Sequence, residues 1–360
     1  MDTKVKKMEH KEKYMFRCLQ LASYGNGHVA PNPLVGAVIV HNDKIIGEGF
    51  HKRYGDLHAE PHAINSVKDE SLLKESTLFV NLEPCAHYGK TPPCVNIIIQ
   101  KGIPKVVIGT VDPNPKVSGK GIEILRNAGV EVECGVLEKE CFELNKRFFV
   151  WQRERRPFVL LKWAQTQDGF IDIRRENKNT PPLRISHQIS KNITHKTRSE
   201  NQSIMVSTNT VVLDNPSLTV RYWAGKNPVR IILDRTGRIP SDYIVYDQLT
   251  KTIVFTEHPR EDIDNIQYIY LDFSKNMLEN MLKHIASIGI NSILVEGGAM
   301  LLNNLIKSNL WDEAQVEVSN QVIFNGVPAP FINSLPESAQ TILNHQYFKY
   351  INKNKVPLYE

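Results

Sequence analysis

His58-Ala59-Glu60, followed by Pro84-Cys85 and then Cys94, constrains this chain more than any other feature, because ligands from separate segments must be carried to one point. One imidazole and two thiolates can hold a zinc ion and leave its fourth tetrahedral position open to water. That opening separates a catalytic zinc from a closed structural one. Zinc lowers the pKa of such a water toward neutrality, and Glu60, two residues from the ligand histidine, can pass its proton to a departing amine. The residue types describe a zinc hydrolase, with His58, Cys85 and Cys94 as ligands and Glu60 as proton carrier. Two other readings compete. A structural zinc would need a fourth ligand from His51, His62 or His87, and a cysteine nucleophile paired with His58 would leave Glu60 and the second thiol without a task.

At 360 residues the chain exceeds one typical core and suits two domains. Its net charge is +5 with histidine neutral, and its basic residues are dispersed apart from the lysine-rich start and Arg153, Arg155 and Arg156. That balance argues against a nucleic-acid partner. No apolar run approaches membrane-span length, and the start, with Lys4, Lys6, Lys7 and Glu9, lacks the apolar stretch of a signal peptide. A cytoplasmic protein without membrane association is expected. Five cysteines, two of them in the motif, fit a reducing compartment better than a disulfide scaffold. Cys18, Cys134 and Cys141 read as buried small residues or bystanders.

Apolar periodicity predicts a helix over 14–24, strands over 34–40, 45–50, 77–82 and 105–110, and helices over 59–67, 94–101 and 119–128. This alternation predicts an α/β sandwich with helices covering a sheet. His58 and Glu60 then open one helix and Cys94 another, where helix N-termini favour the thiolate that zinc requires. A helix from Glu138 runs into the charged stretch Trp151 to Pro157, which sets the boundary between domains 1–150 and 151–360. Strands over 158–164, 203–207, 229–233, 252–255 and 292–296 make the second half another α/β domain. The polar stretch Arg174 to Pro182 reads as a mobile loop.

The zinc deaminases carry H-x-E…P-C-x-x-C, but here eight residues separate the cysteines. The string Glu83-Pro84-Cys85-Ala86-His87-Tyr88-Gly89-Lys90-Thr91-Pro92-Pro93-Cys94 closely resembles the zinc loop of the bifunctional riboflavin-biosynthesis deaminase/reductase family, which uses this longer spacing. Asn32-Pro33-Leu34-Val35-Gly36-Ala37-Val38, Gly49-Phe50-His51 and Asp112-Pro113-Asn114-Pro115 are similar to that family too. The resemblance implies a cytidine-deaminase-like α/β/α fold and zinc-dependent deamination of a diaminopyrimidinone carrying a phosphoribosylamino group. It also implies that Asn32 and His51 line the substrate pocket, with Lys90 and Thr91 as further polar contacts or a tight turn.

In the second half, Ile293-Leu294-Val295-Glu296-Gly297-Gly298 followed by a helical stretch is a strand, a glycine turn and a helix start, suited to an anion. Lys162-Trp163-Ala164, Asp168-Gly169, Arg198, Thr208 to Val211, Asp214 to Arg221 and Val295 to Gly298 resemble the reductase domain of the same family, similar in fold to dihydrofolate reductase. The resemblance implies NADPH-dependent reduction of the ribosyl group to ribityl. By position, Ala164, Thr210, Asp214 and Gly298 onward would contact NADPH, and Arg198, Leu218, Arg221 and Glu296 the substrate. Lys162 could polarise the sugar carbonyl or be a packed strand lysine. The family has Trp-Ile-Thr or Trp-Ile-Ser where this chain has Arg184-Ile185-Ser186, after a longer loop. The expected partners are small phosphoribosylaminopyrimidines, and a homo-oligomer is expected. Two rival readings are a nucleic-acid-acting zinc deaminase, which should show short cysteine spacing and a basic surface, and a chain in which one half serves only as scaffold.

Overall fold

A computed structural model describes residues 10–89, 92–114 and 118–354. The chain divides into two compact units, Met1–Glu154 and Arg155–Glu360. The division lies inside the charged stretch, at the end of a helix that continues past residue 150.

In the first unit, strands β1 (Gly36–His41), β2 (Lys44–Phe50), β3 (Thr77–Leu82), β4 (Lys105–Thr110) and β5 (Glu131–Cys134) form one sheet in the order β2-β1-β3-β4-β5. β1 runs antiparallel to β2 and β3, and β3, β4 and β5 are parallel. Helices α1 (His10–Ser23), α2 (Ala59–Asn65), α3 (Cys94–Gln100), α4 (Lys120–Asn127) and α5 (Glu138–Glu154) cover it. Successive strand residues point to opposite faces, and the cores divide accordingly. Ala37 and Ile39 pack with Ala63, Ile98 and Leu125 of α2, α3 and α4, while Val38 and Val40 pack with Met15 and Cys18 of α1 and Cys141 of α5. The result is the expected α/β/α sandwich. Cys18 and Cys141 are buried, and Cys134 is exposed.

The second unit contains β6 (Phe158–Gln165), β7 (Phe170–Asp172), α6 (Gln188–Ser199), β8 (Ser203–Ser207), α7 (Thr208–Asp214), β9 (Val229–Leu233), β10 (Thr252–Thr256) and β11 (Ile266–Tyr270). It continues with α8 (Met277–Ser287), β12 (Ser292–Val295), α9 (Ala299–Lys307), β13 (Glu313–Val318), β14 (Val327–Pro328), β15 (Ser338–Ile342) and β16 (His345–Ile351). Its main sheet has the order β11-β10-β9-β8-β12-β6-β13-β16-β15, parallel from β11 to β13, with β16 antiparallel to both neighbours. Val159, Leu161 and Trp163 of β6 join Met281, Leu282, Leu302 and Leu305 of α8 and α9 in the core. Lys162 and Ala164 have the opposite parity and take the other face. In a parallel sheet, ligands collect beyond the carboxyl ends of the strands, and here those ends lead into α7, the Gly297-Gly298 turn and β7. Arg156, in the charged stretch at the domain boundary, is buried: its guanidinium grips Asp312 through two contacts of 2.6 Å.

Candidate functional sites

The loop after β3 carries Cys85, the first residue of α3 is Cys94, and His58 is the N-cap of α2. The ligand atoms of His58, Cys85 and Cys94 all lie within 4.8 Å of one another. Nδ1 of His58 sits 3.3 Å from Sγ of Cys94 and 3.5 Å from Sγ of Cys85. A tetrahedral zinc with Zn–N of about 2.1 Å and Zn–S of about 2.3 Å sets N···S edges of about 3.5 Å. The three residues therefore fit the ion. The contact between the two thiols holds Cys85 below the ordinary thiol range and pushes Cys94 above it. The backbone N–H of Cys94 also donates to Cys85 Sγ at 3.3 Å, which favours the thiolate there.

Glu60 opens α2 beside these ligands and is only 3 % exposed. Burial pushes its carboxyl up to about 7, and its Oε2 has no hydrogen-bond partner. A buried polar atom without a partner is costly unless a ligand completes it. Glu60 lines a cavity of about 380 Å³ with Asn32, His51, His58, Cys85 and Trp151. His51 has its Nδ1 3.0 Å from the carbonyl of Leu57, so that nitrogen carries the proton and Nε2 accepts from the Asn32 amide at 3.1 Å. Burial lowers the His51 pKa, which keeps the ring neutral. Lys90 and Thr91 lie outside the described residues.

Two supports of this site went unread in the sequence. The Glu83 carboxylate accepts backbone N–H groups from Asp112, Gly119 and Gly121 at 3.1, 3.0 and 2.9 Å, tying the zinc loop to α4. Asn81 and Asn145 both bond the backbone of Leu34, which fixes the segment bearing Asn32. Buried asparagines in apolar stretches were the available signal.

In the second unit, Arg198 on α6 grips Glu296 through Nε at 2.9 Å and Nη2 at 2.6 Å, and its Nη1 donates to the Thr219 carbonyl at 3.0 Å. Burial pushes Glu296 up, but Arg198 outweighs it and holds the carboxyl below its ordinary range. The resemblance places both Arg198 and Arg221 at the substrate. With Arg198 committed to Glu296, Arg221 is the exposed guanidinium of the two. Leu218 is buried with φ of 55°. Lys162 lies in β6, within electrostatic reach of Glu296 and of Glu317 on β13. Glu317, also unread in the sequence, accepts from Ser190 at 2.6 Å and Ser186 at 2.8 Å and lies 2.6 Å from His345 Nδ1. Ser186 thus connects the Arg184-Ile185-Ser186 step to β13, opposite Ala164.

Gly297 and Gly298 follow β12 with φ of 114° and 75°, which favours glycine. A Cβ on Gly298 would strike Ser207 Oγ at 2.5 Å, and one on Gly297 would meet Thr210 at 3.2 Å. α9 begins directly afterwards without a side-chain cap. This close backbone turn and its open N–H groups suit the pyrophosphate of a dinucleotide. Asp214, at the end of α7, is held by Arg175 at 2.6 Å. Asp168 makes a turn, accepting from the N–H groups of Ile323 and Phe324 at 3.0 and 2.7 Å.

Residues 8–110 match the family model of the cytidine and deoxycytidylate deaminase zinc-binding region, and residues 157–323 that of the RibD C-terminal domain. Across 322 residues the chain is 39% identical to the riboflavin biosynthesis protein RibD of Aquifex aeolicus, covering 87% of this chain and 88% of that one. The chain belongs to the RibD family. RibD of Escherichia coli is 32% identical over 330 residues, covering 87% and 88%. The crystal structure of the diaminohydroxyphosphoribosylaminopyrimidine deaminase/5-amino-6-(5-phosphoribosylamino)uracil reductase of Thermotoga maritima is similar with a TM-score of 0.84 at 36% identity, covering 94% of this chain and 98% of that one. That of Acinetobacter baumannii RibD has a TM-score of 0.86 at 30% identity, covering 95% and 98%.

As a RibD, the chain is a deaminase joined to a reductase in riboflavin biosynthesis, with zinc and NADPH as cofactors. The short cysteine spacing of nucleic-acid-acting zinc deaminases is absent from the sequence. Among the described residues, no helix is long and apolar enough to cross a membrane.

Proposed function

We propose that the first unit deaminates 2,5-diamino-6-(5-phosphoribosylamino)pyrimidin-4(3H)-one and that the second reduces the ribosyl group of the product to ribityl. The convergence of His58, Cys85 and Cys94 beside the unpartnered Glu60 oxygen carries this reading. When bound, zinc makes water a nucleophile at neutral pH and NADPH supplies hydride. Glu60 takes a proton from the attacking water and returns it to the exocyclic nitrogen, so that a C–N bond breaks, a C=O bond forms and ammonia leaves. His51 occupies one N–H of the Asn32 amide, which leaves the side-chain oxygen to accept from the ring and orient it.

In the second unit, Gly298 and Thr210 form the cofactor cradle, and Ala164 and Asp214 border it. Glu296, fixed by Arg198, faces the substrate with Leu218, and Arg221 takes its phosphate, because guanidinium binds phosphate in a bidentate way. As the C1′–O bond of the ribosyl ring breaks to leave a C=N bond to the amino nitrogen, C1′ would take hydride from NADPH, and the freed ring oxygen takes a proton beside Lys162. The protein acts as a cytoplasmic homo-oligomer on small molecules.

Mass spectrometry of the diaminopyrimidinone phosphoriboside after incubation, with and without NADPH, tests both halves. Replacement of an amine by oxygen without NADPH, and a further gain of two hydrogens with it, is the expected result. An unchanged substrate with zinc-loaded protein would refute the deaminase assignment.

A further inference from the structure

The stretch that reads as a mobile loop is closed by ion pairs. At the end of β7, Asp172 Oδ1 accepts the N–H groups of Ile173 and Leu183, both at 2.9 Å, so one carboxylate oxygen joins the two ends of residues 173–183. Its other oxygen accepts from Arg175 Nε at 2.7 Å. The same guanidinium reaches across to Asp214 Oδ1 at 2.6 Å. Arg175 is half-buried, with its side chain 4 % exposed, against 18 % for Asp172 and 31 % for Asp214. Farther along, the Lys178 ammonium lies 5.5 Å above the Tyr243 ring, and the Tyr243 hydroxyl donates to the Val212 carbonyl of α7 at 3.2 Å.

The sheet order shows what this connection crosses. β12 lies between β8 and β6. The segment leaving β6 runs through β7 into residues 173–183, and α7 leaves β8, so the Arg175–Asp214 pair links the exits on either side of the Gly297-Gly298 turn. A surface loop rarely commits a little-exposed guanidinium to two carboxylates, because desolvating it must be offset by good geometry. Here both partners are within hydrogen-bond distance, and one of them, Asp214, ends α7 one helical turn after Thr210, which meets the Gly297-Gly298 turn.

We propose that Arg175 is a positioning residue of the cofactor site: it draws residues 173–183 into a strap over the Gly297-Gly298 turn and fixes Asp214 for NADPH. The inference rests on the NADPH reading of the second unit. The strap forms a wall of the site, so a bound dinucleotide escapes only when the Arg175 bridge opens. Lysine cannot replace this geometry, because a single ammonium lacks the fork that spans two carboxylates.

The test is NADPH binding to the full zinc-loaded chain by nicotinamide fluorescence, with release followed by stopped flow, alongside hydrogen exchange of residues 173–183. In the wild type, NADPH should slow exchange in the strap. Arg175→Gln should weaken NADPH binding about tenfold, as expected when the competent closed form falls to about one molecule in ten, and most of the change should be in release. Deamination and zinc content should stay at wild-type levels, and Arg175→Lys should recover only part of the affinity. Wild-type affinity and release in Arg175→Gln would overturn the strap while leaving the reductase reading intact. Failure of the wild type itself to bind NADPH would overturn the reductase reading and the strap with it. If Arg175→Gln unfolds the unit, wild-type exchange decides alone: protection of 173–183 by NADPH supports the strap, and unchanged exchange refutes it.

Discussion

Glu83 accepts the backbone N–H of Gly121 at 2.9 Å, and a Cβ on that glycine would lie 2.2 Å from the Pro84 carbonyl. The start of α4 is thus pressed against the residue that precedes Cys85. Gly121→Ala should push the zinc loop outward and destabilise the first unit by about 1–3 kcal/mol, the usual range for overpacking. Thermal unfolding and zinc content, measured together, check this; a variant with wild-type values of both would show that the loop yields freely.

Glu60 and Cys85 should separate chemistry from metal binding. Glu60→Gln should keep zinc and lose deamination by about a hundredfold or more, the scale of a general acid–base group. Cys85→Ala should lose zinc and deamination together. Both variants should still reduce the already deaminated substrate. Elemental analysis with the two separate assays decides, and an unaltered deamination rate in Glu60→Gln would remove it from the mechanism.

His195 should give the second unit a dependence on acid. It is buried on α6, and its Nδ1 accepts the Arg221 N–H at 2.8 Å. Burial first, and then the nearby Arg198, Arg221 and Lys162, push its pKa down to about 4, with Glu296 opposing. The unfolded chain, with an ordinary histidine near 6.5, therefore binds the proton first. Stability from this group is full above that pH and is lost as pH falls from 6.5 toward 4. His195→Asn should flatten this part of the melting temperature against pH; the same slope in the variant would assign it elsewhere.

The Arg156–Asp312 pair gives a stability test away from both sites. Asp312 is fully buried and also accepts the Val159 N–H at 2.7 Å. Arg156→Leu strands that carboxylate and should cost about 3–5 kcal/mol, the range for breaking a buried pair. Chemical denaturation of the second unit measures it. A loss below about 1 kcal/mol, the range of an exposed pair, would mean that water reaches Asp312.

The sequence was most legible where chemistry or burial is local. β3 and β4 occupy the residues their apolar runs predict, and the zinc motif needs few residue types at fixed spacing. β5, Glu131–Cys134, was missed because its short, half-exposed pattern carries no buried run. β13 was missed for another reason: it contains Glu313 and Glu317, whose burial makes sense only with partners such as Ser190 and His345 far away in sequence. Arg175 was likewise read as loop polarity, because neither Asp172 nor Asp214 signals from its position that an arginine will join them.

The strand order of the second sheet has a consequence for biosynthesis. β6 emerges from the ribosome early, yet its neighbours β12 and β13 are made much later, and β16 must still slot in between β13 and β15. The first sheet, by contrast, is complete once β5 has appeared. Each nascent chain should therefore carry a folded deaminase half while the reductase half still exposes the unpaired edges of β6. Such edges invite chaperones and aggregation, so losses during expression should fall chiefly on the second unit.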